Sequence, residues 1–281
     1  MLQAKIDSVV KCMTSNNDMS NIQSIQTEHR FKLVNFWNIK EGSKVLEIGC
    51  GQGDTTAVLA YTVGKNGFVH GIDKGSRDYG SPTTLGEAAD HLLNSSIGNQ
   101  IQMDFEIDLL SPQFDFPTKA FDYIVLSHCS WYLSSTEELT EILKKIKKWE
   151  KKICFAEWDT RISEIEQYPH LLSILIQAQY ESFKQNSESN IRTLFTPNDL
   201  KTVTGAAGWT IIDEKIISSP NLQDGKWEVY KTIEDIDLEL SQINDMPAKF
   251  KGLIQSEMKM LEDSIHSNGI KPLSIFAFVA E

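Results

Sequence analysis

The sequence predicts an α/β fold, a mostly parallel sheet flanked by helices, on three observations. Strand formers Val45, Leu46 and Ile48 run into Gly49, Gly51 and Gly53, after which Asp54 opens a helix-forming stretch. Val69 to Asp73 reads as a second strand that ends on an acid about 20 residues beyond that turn. From residue 44 to residue 157 strand and helix patterns alternate, the order that gives parallel strands with helices on both faces.

Each element has a local reason. Residues 1–43 read as helices leading into the fold, with Phe31, Val34 and Trp37 at helical spacing on a face laid against the sheet or over a pocket. After the second strand, residues 75–82 are rich in turn formers and a short helix covers 83–94. The third strand starts at Ile101 and runs toward Asp108, the fourth covers 121–127, and the fifth covers 152–157 and continues to Trp158 and Asp159. A helical stretch over 162–184 follows; Thr196 as N-cap and Pro197 at the first helical position then start another helix. Residues 209–218 alternate as a sixth strand and 273–280 read as a seventh.

Between those last two strands, residues 227–266 are helical in pattern. Trp227, Val229, Tyr230, Ile236, Leu238 and Leu240 supply one apolar set, and Phe250, Leu253, Ile254, Met258, Leu261 and Ile265 a second at three- and four-residue steps. Such a segment must bury apolar surface to offset the entropy of ordering it. The receiving surface is either the pocket side of the same chain, making a cap, or a second copy in a homodimer; the cap is the expectation carried forward. The chain thus reads as a helical segment over 1–43 and one elaborated domain over 44–281, with helical insertions at about 160–195 and 225–269.

Composition excludes several partners. A formal charge of −12 argues against wide contact with nucleic-acid phosphates, which needs clustered Lys and Arg. The one basic run, from Lys144 to Lys152, reads as the solvated end of a helix. No apolar stretch approaches the roughly 18 residues of a membrane-spanning helix, and the N-terminus lacks the pattern of a signal peptide. Cys12, Cys50, Cys129 and Cys154 show no zinc spacing, so no metal is expected. They read as reduced thiols of a cytoplasmic protein, Cys50 and Cys154 as small core residues.

A strand entering a glycine-rich turn and a helix is a nucleotide cradle. Glycines let backbone approach the ligand, and the helix start offers free N–H groups. Asp73 is placed to accept both ribose hydroxyls of an adenosine ligand, in NAD enzymes and methyl-donor enzymes alike. The spacing here is G-x-G-x-G rather than the dinucleotide G-x-G-x-x-G, and Glu47 stands two residues before the first glycine. That combination closely resembles motif I of the class I S-adenosylmethionine-dependent methyltransferases. The acid after the third strand and Phe121-Asp-Tyr-Ile-Val extend the likeness over roughly residues 40–160.

The resemblance implies a Rossmann-like seven-stranded sheet, S-adenosylmethionine as cofactor, and methyl transfer to a small-molecule acceptor at oxygen, nitrogen or carbon. It puts Glu47 at the methionine amino end and Gly49, Cys50, Gly51 and Gly53 in the turn. Asp73 with Lys74 falls at the ribose, Asp108 with Leu109 at the adenine, and Ser127 at the end of the fourth strand. The reacting methyl lies near that strand end, where His128 is the candidate general base because imidazole titrates near neutrality. Trp131 and Tyr132 are candidate walls of the acceptor pocket, with Trp158 and Arg192 as further substrate contacts; core packing is the competing reading for both Trp131 and Tyr132. The chain also looks like bacterial methyltransferases labelled cyclopropane-fatty-acid-synthase-like. That label implies methylene transfer to a lipid alkene as one alternative; a non-catalytic S-adenosylmethionine-binding module and an NAD-dependent oxidoreductase are others.

Overall fold

The structure is a computed structural model that describes residues 2–14, 20–150, 152–185, 187 and 189–281. Lys151 of the basic run and residues 15–17 of the N-terminal stretch lie outside the described residues. Seven strands are seen among the described residues: β1 Lys44–Ile48, β2 Phe68–Ile72, β3 Ile101–Asp104, β4 Tyr123–Ser127, β5 Ile153–Trp158, β6 Ile211–Ile217 and β7 Ile275–Ala280. They pair in the order β3-β2-β1-β4-β5-β7-β6, parallel except for β7, which is antiparallel to both neighbours. The strand order reverses between β1 and β4, the position at which open α/β sheets leave a crevice beyond their carboxyl ends.

Helices cover both faces. On one, α2 (Ser20–Trp37), following α1 (Leu2–Val10), and α3 (Asp54–Val63) pack on the sheet through Phe31, Val34 and Trp37 and through Ala57 to Val63. The face predicted from helical spacing is therefore core. On the other, α5 (Thr136–Ile146) and α7 (Pro197–Ala206) enclose Leu139, Ile142, Leu143, Trp149 and Phe195. The helix starts are those written in the sequence. The Thr196 hydroxyl caps α7 with Pro197 in its first turn, and Thr84 with Glu87 forms a capping box on α4 (Leu85–Leu93). Lys144 and Lys145 close α5, and Lys145 Nζ donates to Ser111 O at 2.8 Å, tying down the loop after β3.

Two expectations are revised. β3 stops at Asp104, because Glu106 takes a left-handed conformation (φ 58°) that turns the chain so that the Ile107 N–H donates to Asp73 O at 2.9 Å. The helical stretch over 162–184 shortens to α6 (Tyr168–Glu181), since Gln167 Oε1 accepts from the Ser163 N–H at 2.8 Å and holds a tight turn ahead of it.

The late insertion folds as α8 (Asp224–Gln242) and α9 (Ala248–Asn268). It packs on the earlier one. Leu172, Ile176 and Tyr180 of α6 meet Val229, Ile236 and Leu240 of α8 and Ile254, Met258 and Leu261 of α9 in a third core cluster. Trp227, Tyr230, Leu238 and Leu253, counted with the apolar sets, are instead exposed. Lys251 Nζ caps the carboxyl end of α8 through Leu240 O at 2.9 Å and Ile243 O at 3.0 Å.

Ile254 is fully buried where α6, α8 and α9 meet. Ile254→Ala is expected to cost about 2–4 kcal/mol, the transfer term plus the cavity left behind. Urea unfolding followed by tryptophan fluorescence checks this. One cooperative transition at a lower midpoint is the outcome for an insertion integral to the fold; an early separate transition marks an independent unit.

Candidate active site

The carboxyl ends of β1, β2, β4 and β5 meet at the strand-order reversal. β1 leaves into the glycine turn, where Gly49, Gly51 and Gly53 all have positive φ (73°, 53° and 89°). Two of these glycines are required by contact: a Cβ on Gly49 would lie 2.6 Å from Cys129 Cβ, and one on Gly53 would lie 2.8 Å from Leu92 Cδ2. Gly51 differs, since nothing stands within 4 Å of the Cβ position there. It is an open backbone cradle at the start of α3. Its N–H donates to Asp73 Oδ2 at 2.8 Å, while the Gly75 N–H donates to Asp73 Oδ1 at 2.8 Å. Asp73 thus clamps the loops after β1 and β2 together, and each of its oxygens keeps a lone pair for a further donor.

The loop after β3 docks onto the same place. The Glu106 N–H donates to Gly75 O at 3.0 Å and the Ile107 N–H to Asp73 O, setting residues 106–109 beside the clamp. Asp108 is exposed and accepts from the Leu110 N–H at 3.0 Å; Leu109 packs against the core. Lys74 is largely exposed, with Nζ 3.4 Å from Glu138 Oε1.

Glu47 is buried within β1, its Oε2 accepting from the Thr56 hydroxyl at 2.5 Å. Burial pushes its carboxyl up to about 8, partly opposed by the Thr56 bond and the charge of Arg30. Cys50 is core, and the Ser127 hydroxyl is buried with no hydrogen-bond partner. The Cys129 thiol is pushed well above its usual range by burial first, then by Glu157, Asp73 and Glu47. A thiolate nucleophile is thereby disfavoured.

His128 follows β4 in the left-handed region (φ 53°), held by its N–H to Ala156 O at 2.9 Å. Its Nε2 lies 3.0 Å from His29 Nε2 of α2, and its Nδ1, buried without a hydrogen-bond partner, lies 3.7 Å from Glu157 Oε1. Glu157 is buried and anchored, accepting from Ser130 N–H and Oγ at 3.1 and 2.6 Å and from the Trp158 N–H at 3.0 Å. Trp158 sits between two imidazoles, its ring 4.9 Å from His128 and 5.2 Å from His170. Burial lowers His170 to about 3, so it is neutral.

The remaining sequence candidates divide. Trp131 lies in the core, its Nε1 donating to Phe195 O at 3.3 Å. Arg192 Nε donates to Ser189 O at 3.0 Å, pinning its own loop, while its N–H donates to Trp131 O at 2.8 Å. Tyr132 is exposed, in the short turn that follows β4. Glu228 of α8 accepts from Gln177 Nε2 at 2.9 Å, and Asp224 accepts from Gln26 Nε2 of α2 at 2.7 Å.

Sequence reasoning did not single out His29 or Glu228. His29 carried a weak signal: it shares a buried helix face with Gln26 and Leu33 at three- and four-residue steps, polar atoms inside an apolar stripe. Glu228 had none, since an acid on an amphipathic helix is ordinarily wet.

These residues fit S-adenosylmethionine. The open backbone at Gly51, the clamped Asp73 and the unpartnered Ser127 hydroxyl offer hydrogen bonds to a nucleoside. The carboxyl groups of Glu47 and Asp73, at the ends of the paired strands β1 and β2, suit a ligand that carries a positive charge. Among the described residues no group of His, Cys, Asp and Glu could hold a metal ion.

Comparison with known proteins agrees. A family described as a methyltransferase domain matches residues 25–214. The chain is 33% identical to the cyclopropane-fatty-acyl-phospholipid synthase-like protein from Lactobacillus casei, over 99% of each chain with a TM-score of 0.87. It is 24% identical over 229 residues to methyltransferase phomM' of Diaporthe leptostromiformis, covering 68% of this chain and 59% of that protein. With the demethylmenaquinone methyltransferase of Bacillus velezensis it shares 29% identity over 149 residues, 50% of this chain and 60% of that protein. The chain spans about three-fifths of the length of these curated relatives.

Glu47 generates a prediction that needs no ligand. Its carboxyl sits above the unfolded value, so its contribution to stability is complete below about 4.5 and is lost as pH rises through about 8. Glu47→Gln keeps the shape and cannot ionise. Thermal unfolding between pH 5 and about 8.5 should show the parent losing stability relative to the variant as pH rises. Parallel curves for the two proteins would remove the buried-acid assignment.

Proposed function

The chain belongs to the S-adenosylmethionine-dependent methyltransferases, and on that footing we propose that it methylates a nucleophilic oxygen, nitrogen or carbon of a small molecule with His128 as general base. The observation that carries this reading is the juxtaposition of the Asp73-clamped glycine turn with the buried, unpartnered Nδ1 of His128, which the Gly49–Cys129 contact holds together. S-adenosylmethionine supplies a methyl carbon already activated as a sulfonium and leaves as a neutral thioether. The chain's own work is alignment, exclusion of water and removal of one proton.

In this reading Glu47 faces the ammonium of the methionine moiety, whose charge draws the raised carboxyl back to carboxylate. Asp73 accepts from the ribose hydroxyls, Asp108 and Leu109 border the adenine with Lys74 at the rim, and Ser127 completes the cradle. Tyr132, Trp158 and Glu228 wall the acceptor, while Trp131 and Arg192 shape the loop behind Tyr132. α8 and α9 cap the acceptor side. The four free cysteines suit a reducing cytoplasm, and among the described residues no helix is long and apolar enough to cross a membrane.

A second reading is methylene transfer to a lipid alkene, favoured by the full-length likeness to the Lactobacillus casei protein so named. Mass spectrometry of unsaturated phospholipid incubated with enzyme and S-adenosylmethionine separates the two, since only this reading consumes the double bond.

The cofactor arrangement predicts that Asp73→Ala weakens S-adenosylhomocysteine binding about 10- to 100-fold, the loss of charge-assisted hydrogen bonds of roughly 1.5–3 kcal/mol. Gly51→Val should abolish it, by filling the open cradle and straining a backbone at φ 53°. Titration calorimetry with wild-type affinity for both variants refutes the arrangement.

His128→Gln tests the base. Turnover with a methylated acceptor should fall on the order of 100-fold or more, with S-adenosylhomocysteine affinity retained. Normal turnover with weakened cofactor binding would make His128 a binding residue.

A further inference from the structure

β6 ends the sheet: among the described residues it has β7 on one side and no strand on the other. Residues 212–216 are exposed without a break, Ile212 to 52% and Ile216 to 57%. An edge of this kind presents free N–H and C=O groups to any strand that can reach it, and charges or bulges ordinarily block that pairing. β6 carries both, a register shift between Ile211 and Asp213 and the charges of Asp213, Glu214 and Lys215. Their order is the informative part. Ile211-Ile212-Asp213-Glu214-Lys215-Ile216-Ile217 is symmetric about Glu214 in its apolar positions and antisymmetric in its flanking charges.

The backbone fixes which residues face the open edge. Along a strand, the N–H and C=O groups of successive residues point to opposite sides. Glu281 exchanges two backbone bonds with Thr210, at 2.8 and 2.9 Å, on the β6 side of β7, while Ser274 O accepts from the Asp159 N–H at 2.7 Å on the β5 side. Ile275, Ala277 and Val279 therefore bond toward β6, where they face Ile217, Lys215 and Asp213. Those three residues spend their backbone groups inward, and Glu214 and Ile216 turn theirs outward. A strand added antiparallel about a two-fold axis at Glu214 is in phase with these free groups, since Glu214 of each copy can donate its N–H to the other's C=O. A slip of one residue would set free groups against groups already used.

Side chains select the same register. About that axis Asp213 lies opposite Lys215 of the second copy, twice over, and Ile212 lies opposite Ile216. Opposite charges and apolar pairs directly across two strands are both favourable. Among the described residues neither Asp213 nor Lys215 has a partner within its own chain. The one meeting of like charges, Glu214 with Glu214, falls where each carboxylate already accepts from Lys201 Nζ at 2.8 Å. Charges placed to guard an edge would repel a second copy; these attract one.

We propose that two copies of this chain join through β6, antiparallel about a two-fold axis at Glu214, into one continuous sheet. The contact is isologous, each copy offering the same surface to the other. Strands of the two copies then run in opposite directions. The carboxyl ends of β1 and β4 lie at opposite ends of the pair, and neither candidate site is covered.

Sedimentation velocity of the purified chain across a wide range of concentration tests this. The expected result is a dimer that dissociates on dilution; a monomer at every concentration overturns the proposal. Lys215→Glu sets two acids opposite each other at both symmetric places, and Asp213→Lys sets two lysines there. Each should weaken the dimer on the order of 10-fold or more. An equimolar mixture of the two variants should recover the parent's affinity, because each acid again faces a lysine, and so should one chain carrying both substitutions. All of these residues are exposed and outside the candidate site, so every variant should bind S-adenosylhomocysteine as the parent does. A dimer that survives both single substitutions lies elsewhere, as on the exposed Trp227 and Tyr230 of α8, and overturns the proposal. Single variants that stay monomeric when mixed overturn the register and the proposal with it.

Discussion

Acids stand at the carboxyl ends of three strands, β1, β2 and β5, and much of the local structure follows from how the chain accommodates them. Charge cannot be buried without hydrogen bonds or a partner. Glu47 has the Thr56 hydroxyl, Asp73 the N–H groups of Gly51 and Gly75, and Glu157 those of Ser130 and Trp158 with the Ser130 hydroxyl. Each solution dictates local structure: the left-handed glycines expose backbone donors, and the Ser130 turn closes over Glu157. These donors are neutral, and Arg30 is the charged group of the chain that acts on Glu47. Burial is the first cause of both the raised Glu47 carboxyl and the raised Cys129 thiol, with neighbouring acids adding to it.

The helices outside the minimal sheet serve the same end of the molecule. α2 delivers His29 to His128 and joins α8 through Gln26 and Asp224. α6, α8 and α9 share one apolar cluster, so two insertions separated in sequence behave as one packed body. Neither insertion could hold its apolar face alone; each covers the other. Chemistry near His128 therefore depends on segments more than 100 residues apart in the chain.

Local sequence determined the scaffold. Val45, Leu46 and Ile48 ahead of three glycines, acids at positions 47 and 73, the Thr196–Pro197 helix start and the apolar run of β7 act through neighbours in the chain or through a strand's fixed alternation. Those signals survive in one dimension, and they carried the fold and the family. The extent of β3 and of α6 was not legible, because each is ended by a contact: Ile107 to Asp73 O, and Gln167 to Ser163. Exposure of Trp227, Tyr230 and Leu238 was likewise decided by which side of α8 its partner helices took.

The tertiary structure alone decided the surroundings of His128. Its position after a strand is written in the sequence; the state of its two nitrogens is not. Nε2 depends on His29 and Nδ1 on how far Glu157 stands, and each distance is set by packing of α2 and β5 around the strand-order reversal. Hydrogen bonds reach about 3 Å and are indifferent to separation along the chain. A residue type at a strand end could therefore announce a candidate, but only the folded chain could show what surrounds it.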